Sequence, residues 1–257
     1  MSTDDSTSDY YLHVDLVVPE KDSAQYEDLI RRFVKEGSFR RIDPTCDDKI
    51  LVLALKAASA IPFSGHLPPP GAPYQRSEAS DQKVVRYVNL WRVPNLNNLD
   101  LARLMRLSGD DSLYMEIDSL VIEERQNFVV RAGWDYAAPS GSDSQNYVRS
   151  IKRFASADLG EFFFKAGALF PILKDNGWYP LGHFQSVTGT LNTVVEFWQT
   201  PTHSSAMSDW PSFFASAPEM FKTEFLGPYN ELALSDYQEV FHPYLPSGLV
   251  PPMAGAA

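Results

Sequence analysis

His13 and Asp15 stand two residues apart in Tyr10-Tyr11-Leu12-His13-Val14-Asp15-Leu16-Val17-Val18. In an extended chain, residues i and i+2 point the same way. An imidazole, a carboxylate and the Tyr11 phenol therefore share one face. A carboxylate beside an imidazole orients it and raises its basicity, as general acid–base catalysis requires; the plain alternative is a solvated strand face. Glu196 poses the same question, being the one charged residue in Thr193-Val194-Val195-Glu196-Phe197-Trp198. Burial would push its carboxyl up toward neutrality and suit it to donate or accept a proton. The alternative is an ion pair with Arg131 or a histidine, and His183 is the histidine on the neighbouring strand.

Other residues could surround such groups. Tyr179, Leu181, His183 and Gln185 fall on one face of a strand, and Asn192, Val194, Glu196 and Trp198 on one face of the next. Arg131 lies between Val130 and Ala132. A buried arginine there needs a carboxylate from protein or substrate. Tyr87, Asn89 and Trp91 also share a face, offering aromatic walls and one polar anchor, or ordinary core packing. The candidate catalytic set is thus His13, Asp15, His183 and Glu196. The candidate substrate contacts are Tyr11, Tyr87, Asn89, Trp91, Arg131, Tyr179, Gln185 and Trp198.

Several chemistries find no support. No His/Cys/Asp spacing suggests a metal site. There is no Gly-x-Ser-x-Gly elbow, phosphate loop or dinucleotide fingerprint, so no cofactor is expected. His66, in a Pro-rich loop, could belong to a lid; His203 and His242 follow strands, as surface residues often do. Cys46 is the single cysteine among acidic neighbours, which excludes an intramolecular disulfide and raises a thiol pKa. The net charge of −11 argues against nucleic acid or an anionic membrane as partner. No apolar run reaches the ~20 residues of a membrane span, and the acidic start lacks signal-peptide features. A cytoplasmic location is expected.

The elements that must position these residues follow from periodicity. Residues 1–9 read as a disordered leader. Strands are expected at 10–18, 49–57, 83–93 and 112–123, with helices at 22–36 and 96–107. A long Pro-rich loop covers 58–82. A second series begins with a strand at 128–134 and a Gly/Ser/Asp-rich connection at 135–150. It continues with a helix at 158–175, kinked near Pro171, a hairpin at 178–187 and 192–200, helical pieces at 205–225, and a strand at 230–241. Val85-Arg86-Tyr87-Val88-Asn89-Leu90-Trp91-Arg92-Val93-Pro94 is echoed by Thr193-Val194-Val195-Glu196-Phe197-Trp198-Gln199-Thr200-Pro201, which suggests two copies of one unit. The expected fold is α+β: tandem ferredoxin-like βαββαβ repeats, residues 10–124 and 125–242, packed sheet to sheet into a barrel-like core, followed by a flexible tail at 243–257.

The hairpin Gly182-His183-Phe184-Gln185-Ser186, then Gly189-Thr190-Leu191-Asn192-Thr193-Val194-Val195-Glu196-Phe197-Trp198, resembles the NIPSNAP family of the dimeric α/β-barrel (ferredoxin-like) superfamily. The shared pattern is a Gly-x-Phe strand, a Gly-x-Leu-Asn turn and an apolar strand ending in Trp, over about twenty residues. Many relatives carry His two positions before the Trp, where this chain has Glu196. The resemblance implies a fold more than an activity, since the superfamily includes polyketide cyclases, cofactor-free monooxygenases, muconolactone-type isomerases and haem-degrading enzymes. It leads to the expectation of a cofactor-independent cyclase or isomerase of natural-product biosynthesis. The substrate would be a bulky, largely apolar small molecule such as a polyketide-like intermediate. The alternatives are a non-catalytic binder of haem or a lipophilic ligand, with His183 or His13 as axial ligand, and a self-associating scaffold. A chain carrying both halves could be a monomer or a homodimer.

Overall fold

The computed structural model describes residues 10–36, 50–63, 65, 67, 81–93, 112–132, 146–175, 178–199, 219, 222–223, 227, 231–246 and 249. The expected leader, the helix at 96–107 and nearly all of the helical pieces at 205–225 lie outside the described residues. Nine strands are described: β1 Tyr10–Pro19, β2 Ile50–Ala57, β3 Ile61–Pro62, β4 Lys83–Val93, β5 Glu123–Arg131, β6 Tyr147–Phe154, β7 Tyr179–Ser186, β8 Thr193–Gln199 and β9 Ala233–Pro243. The described helices are α1 Ser23–Glu36, α2 Ser112–Leu120 and α3 Leu159–Asp175.

The strands run in the order β1-β5-β7-β8-β6-β9-β2-β4-β3, and β1 also pairs with β4. That last pairing closes eight antiparallel strands into a ring, with β3 as an appendage on β4. Within the ring, β5-β1-β4-β2 and β7-β8-β6-β9 form two four-stranded runs. Pairing inside a run is long, as along β1 and β4 from Tyr10↔Val93 to Pro19↔Val84. The seams between runs are short. Val129↔Ser186, Val130↔Gln185 and Arg131↔Phe184 join β5 to β7, and Leu55↔Pro243, Lys56↔His242 and Ala57↔Phe241 join β2 to β9.

Each strand alternates between an outer face under helices and an inner face turned into the ring. Under α1, whose stripe Tyr26, Leu29, Ile30 and Phe33 follows helical spacing, lie Leu12, Val14, Leu16, Tyr87 and Trp91. Under α3, Phe162, Ala166, Leu169, Phe170 and Leu173 pack on Val148, Val194 and Trp198. The inner face carries Tyr11, Leu53, Leu55, Val88, Leu90, Val129, Ile151, Phe184, Phe197 and Phe241.

Three elements differ from expectation. Residues 112–120 are helical, because Leu113 and Ile117 bury one face at i and i+4. The strand placed at 128–134 is β5, which begins at Glu123 and pairs with β1; the expected boundary at residue 124 falls inside it. The connection placed at 135–150 ends in a strand, β6. No helix among the described residues is long and apolar enough to cross a membrane.

The turn between β7 and β8 shows why its sequence is specific. Gly189 has φ +76° and Asn192 φ 57°, left-handed values that glycine and asparagine tolerate best. A Cβ on Gly189 would stand 2.5 Å from Asn127 Oδ1. Gly189→Ala is expected to cost about 1–3 kcal/mol, read from the urea midpoint. Adding Asn127→Ala should restore only the part due to the clash, leaving the backbone strain. An unchanged midpoint in the single variant would contradict this account.

Candidate functional site

Burying charge inside a closed sheet demands compensation, and the ring supplies it. Asp15 accepts from Arg86 Nε at 3.1 Å and Nη2 at 2.7 Å, and from Arg149 Nη1 at 2.9 Å. Glu239 accepts from Arg86 Nη1 and Arg149 Nη2. Two carboxylates and two guanidinium groups thus close a square that links β1 and β4 of one run to β6 and β9 of the other. Arg149 is fully buried, with its guanidinium carbon 5.0 Å from the Phe241 ring centroid. Burial alone would raise the Asp15 pKa, but Arg149 and Arg86 outweigh it and hold the carboxyl well below the usual carboxylate range.

His13 sits against this square. Its ring is buried, 6.0 Å from the Phe197 centroid, and its Nε2 lies 3.5 Å from Arg149 Nη1. Burial, then the Arg149 charge, lowers its pKa to about 3, so the imidazole is neutral near pH 7. Guanidinium nitrogens only donate. Nε2 therefore presents its lone pair to Arg149, and the proton is assigned to Nδ1. That Nδ1 is buried without a hydrogen-bond partner, as is Nε of Arg149. The expected pairing of Asp15 with His13 does not form: the Asp15 carboxylate is turned to the two arginines, and His13 becomes less basic rather than more. What remains is a buried neutral N–H donor with no hydrogen-bond partner, near a fixed positive charge. Such a donor can polarise a carbonyl oxygen or hold an oxyanion.

Glu196 and His183 lie elsewhere. Strand β7 shifts register between Pro180 and Gly182, which breaks the shared face expected for Tyr179, Leu181, His183 and Gln185. Leu181 and Phe184 turn into the ring. His183 turns out and stacks beneath Phe170 of α3, centroids 4.4 Å apart; Gln185 pairs with Val194, also of the outer face. Tyr179 lies beyond the shift, half-buried and paired with Gln199. Glu196 is fully buried in the sheet–helix layer, with Lys152 Nζ at 2.6 Å and His183 Nε2 at 3.0 Å. Trp198 Nε1 donates to it at 3.4 Å. Lys152 also donates to Ser150 Oγ at 2.6 Å, and Ser150 donates to Asp236 at 2.7 Å. The expected rise of the Glu196 pKa is reversed. Burial pushes it up, yet Lys152 and then His183 hold the carboxyl below the usual range.

The first-run aromatics face α1 and not the ring. Tyr87 packs on Tyr26 with the rings tilted and their centroids 4.6 Å apart, and Phe33 meets Trp91 edge-on at 6.0 Å. Asn89 donates to Tyr26 Oη at 3.0 Å and accepts from Tyr244 Oη at 2.7 Å, satisfying a buried amide inside an aromatic cluster. Tyr11 and Arg131 do lie on the inner face. Tyr11 packs edge-on against Phe184 at 5.0 Å, and its Oη is 3.5 Å from Arg131 Nη1. Asp15 is engaged by Arg86 and Arg149, and Glu196 by Lys152. Arg86, Arg149, Glu239 and Lys152 carry the electrostatics of both clusters and were not among the sequence candidates. Each is a charge inside a strand segment, the same signal that singled out Glu196.

No family model matches the chain, and no curated protein matches it by sequence. Solved structures do. A "putative monooxygenase" of Fusobacterium nucleatum superposes over 92% of this chain and 93% of its own, with TM-score 0.52 and 10% identity. A "putative monooxygenase" of Lactobacillus acidophilus does so over 93% and 95%, with TM-score 0.51 and 10% identity. An anthrone oxidase-like protein covers 93% and 92%, with TM-score 0.53 and 8% identity. At such identities the likeness is one of architecture, and with the closed antiparallel ring it shows that the chain has the dimeric α/β-barrel (ferredoxin-like) fold.

Proposed function

We propose that the chain is a cofactor-independent enzyme of the cyclase or isomerase kind, acting inside the barrel on a bulky, largely apolar small molecule that carries a carbonyl. The observation that carries this reading is the buried Nδ1–H of His13, which has no hydrogen-bond partner. An unpaired buried donor costs about 1–3 kcal/mol, a cost that a ligand oxygen removes. The donor then stabilises negative charge developing on that oxygen, with Arg149 behind it. Asp15 and Glu239, each held by two guanidinium groups, keep Arg149 in place. Tyr11, Phe197 and Phe184 provide apolar surface on the same inner face.

We read the two runs as tandem copies of one unit. Trp91 pairs with Leu12 and Trp198 with Val148; Tyr11 pairs with Val129 and Tyr147 with Phe241. The echoed tryptophans therefore hold matching register. A place near the NIPSNAP branch is supported by the turn, where Gly189 and Asn192 both take positive φ.

The haem-binding alternative does not fit the two histidines. His183 lies under Phe170 with Nε2 on Glu196, and the lone pair of His13 faces Arg149. The test is native mass spectrometry of the protein purified from its own host, extraction of any bound molecule, and incubation to detect conversion. His13→Phe keeps an aromatic ring and removes the N–H. It should abolish conversion and raise the Kd for a carbonyl-bearing ligand about tenfold, the equivalent of 1.4 kcal/mol. Full activity in that variant would sink the reading; ligand binding without conversion in the native protein would favour a lipophilic-ligand binder.

A further inference from the structure

The two runs match strand for strand, yet they finish their inner faces differently. At one end of the first run, Val17 is flanked across the sheet by Arg86 and Glu123. The matching positions of the second run, six residues on from Tyr147, are Arg153, flanked by Thr193 and Ser235. In the first run the chain closes this end itself. Leu67 packs on Val17 and Val84, and its backbone N–H donates to Glu123 Oε2 at 2.6 Å. Its carbonyl accepts from Arg125.

In the second run the same three positions hold a cation and two hydroxyls. Thr193 is 1% exposed, and neither its Oγ1 nor the buried Ser235 Oγ has a hydrogen-bond partner. Arg153 between them is exposed, and no ion pair engages it among the described residues. Neighbouring strands lie about 4.8 Å apart, and the concave side of a closed sheet draws their side chains together. Two unpaired hydroxyl donors bracketing a guanidinium are what a tetrahedral or planar oxyanion needs.

We propose that Arg153, Thr193 and Ser235 form an anion-binding site at this end of the barrel, taking a phosphate or carboxylate group where the first run places its own Leu67 segment. The site is separate from His13 and stands whether or not His13 acts on a substrate.

The test is an NMR titration of the full chain with inorganic phosphate and, separately, with acetate, ionic strength being held constant with chloride. Saturable shifts are expected at the Thr193 amide and the Arg153 side-chain N–H, and the anion that saturates first identifies the group recognised. Arg153→Gln, a surface change, should weaken binding about tenfold or more. Thr193→Val should raise the Tm without anion, because a buried unpaired hydroxyl is gone, and should lose the anion-dependent rise in Tm. The proposal is overturned if neither anion gives saturable shifts in the native protein, or if both variants bind as it does.

Discussion

Arg149→Met is expected to destabilise the protein by about 3–5 kcal/mol. Arg149 is fully buried and bonds both Asp15 and Glu239. Methionine fills most of the volume but leaves two carboxylates in a low-dielectric interior with Arg86 alone between them. The square also spans the two runs of strands, whose direct seams are only three residue pairs each. Its loss should therefore loosen the barrel along those seams first. Urea unfolding measures the total, and amide exchange at Val130 and Lys56 reads the seams. The wild-type pH profile follows from the same geometry. The Asp15 pKa is lower folded than unfolded, so its contribution is complete above the unfolded value of about 3.9 and fades as pH falls below it. In Arg149→Met that acid slope should shrink, since Asp15 keeps one guanidinium instead of two. A loss below about 1 kcal/mol, in the range of an exposed pair, would mean that water reaches the square and that it is not a buried anchor.

The parts of this architecture legible in the sequence are those where one face of an element differs clearly from the other. Helix α1 shows an apolar stripe at Tyr26, Leu29, Ile30 and Phe33, and the β7–β8 hairpin is bounded by Gly189 and Asn192. Strand β6 was hidden because both of its faces carry charge: Arg149 and Arg153 point inward, while Ser150 and Lys152 lie toward α3. Residues 112–120 fit two periods at once, since Leu113, Met115 and Ile117 alternate while Leu113, Ile117 and Leu120 follow helical spacing. The candidate site failed more specifically, on which face was which. On β4 both faces are rich in apolar residues, so nothing local distinguishes Tyr87, Asn89 and Trp91 under α1 from Val88 and Leu90 inside the ring. On β7 a single register shift between Pro180 and Gly182 moved His183 from the inner face to the outer one. A strand pattern carries parity, and only the closed sheet says which parity is inside.

Lys152→Met is the second large effect expected, again about 3–5 kcal/mol, and its signature is in the sign of the pH dependence. Glu196 is fully buried, and its closest cation is Lys152 Nζ at 2.6 Å. In the native protein the Glu196 carboxyl is held low by Lys152 and then His183. Its contribution is therefore present above the unfolded value of about 4.3 and lost below it. Removing Lys152 deletes the larger of these two attractions and leaves burial, which acts in the opposite direction. The folded Glu196 pKa should then rise above the unfolded one. A carboxyl raised on folding binds protons more tightly in the native state, so relative to the native protein the variant should gain stability as pH falls from neutral toward about 4.3, a window in which native Glu196 adds no slope of its own. Adding Glu196→Leu to Lys152→Met removes the stranded charge, and should recover much of the loss with a coupling of about 1–3 kcal/mol. Recovery without that relative gain at lower pH in the single variant would implicate packing in the layer beneath α3; the gain together with recovery identifies the buried Lys152–Glu196 pair as the electrostatic lock between β6 and β8.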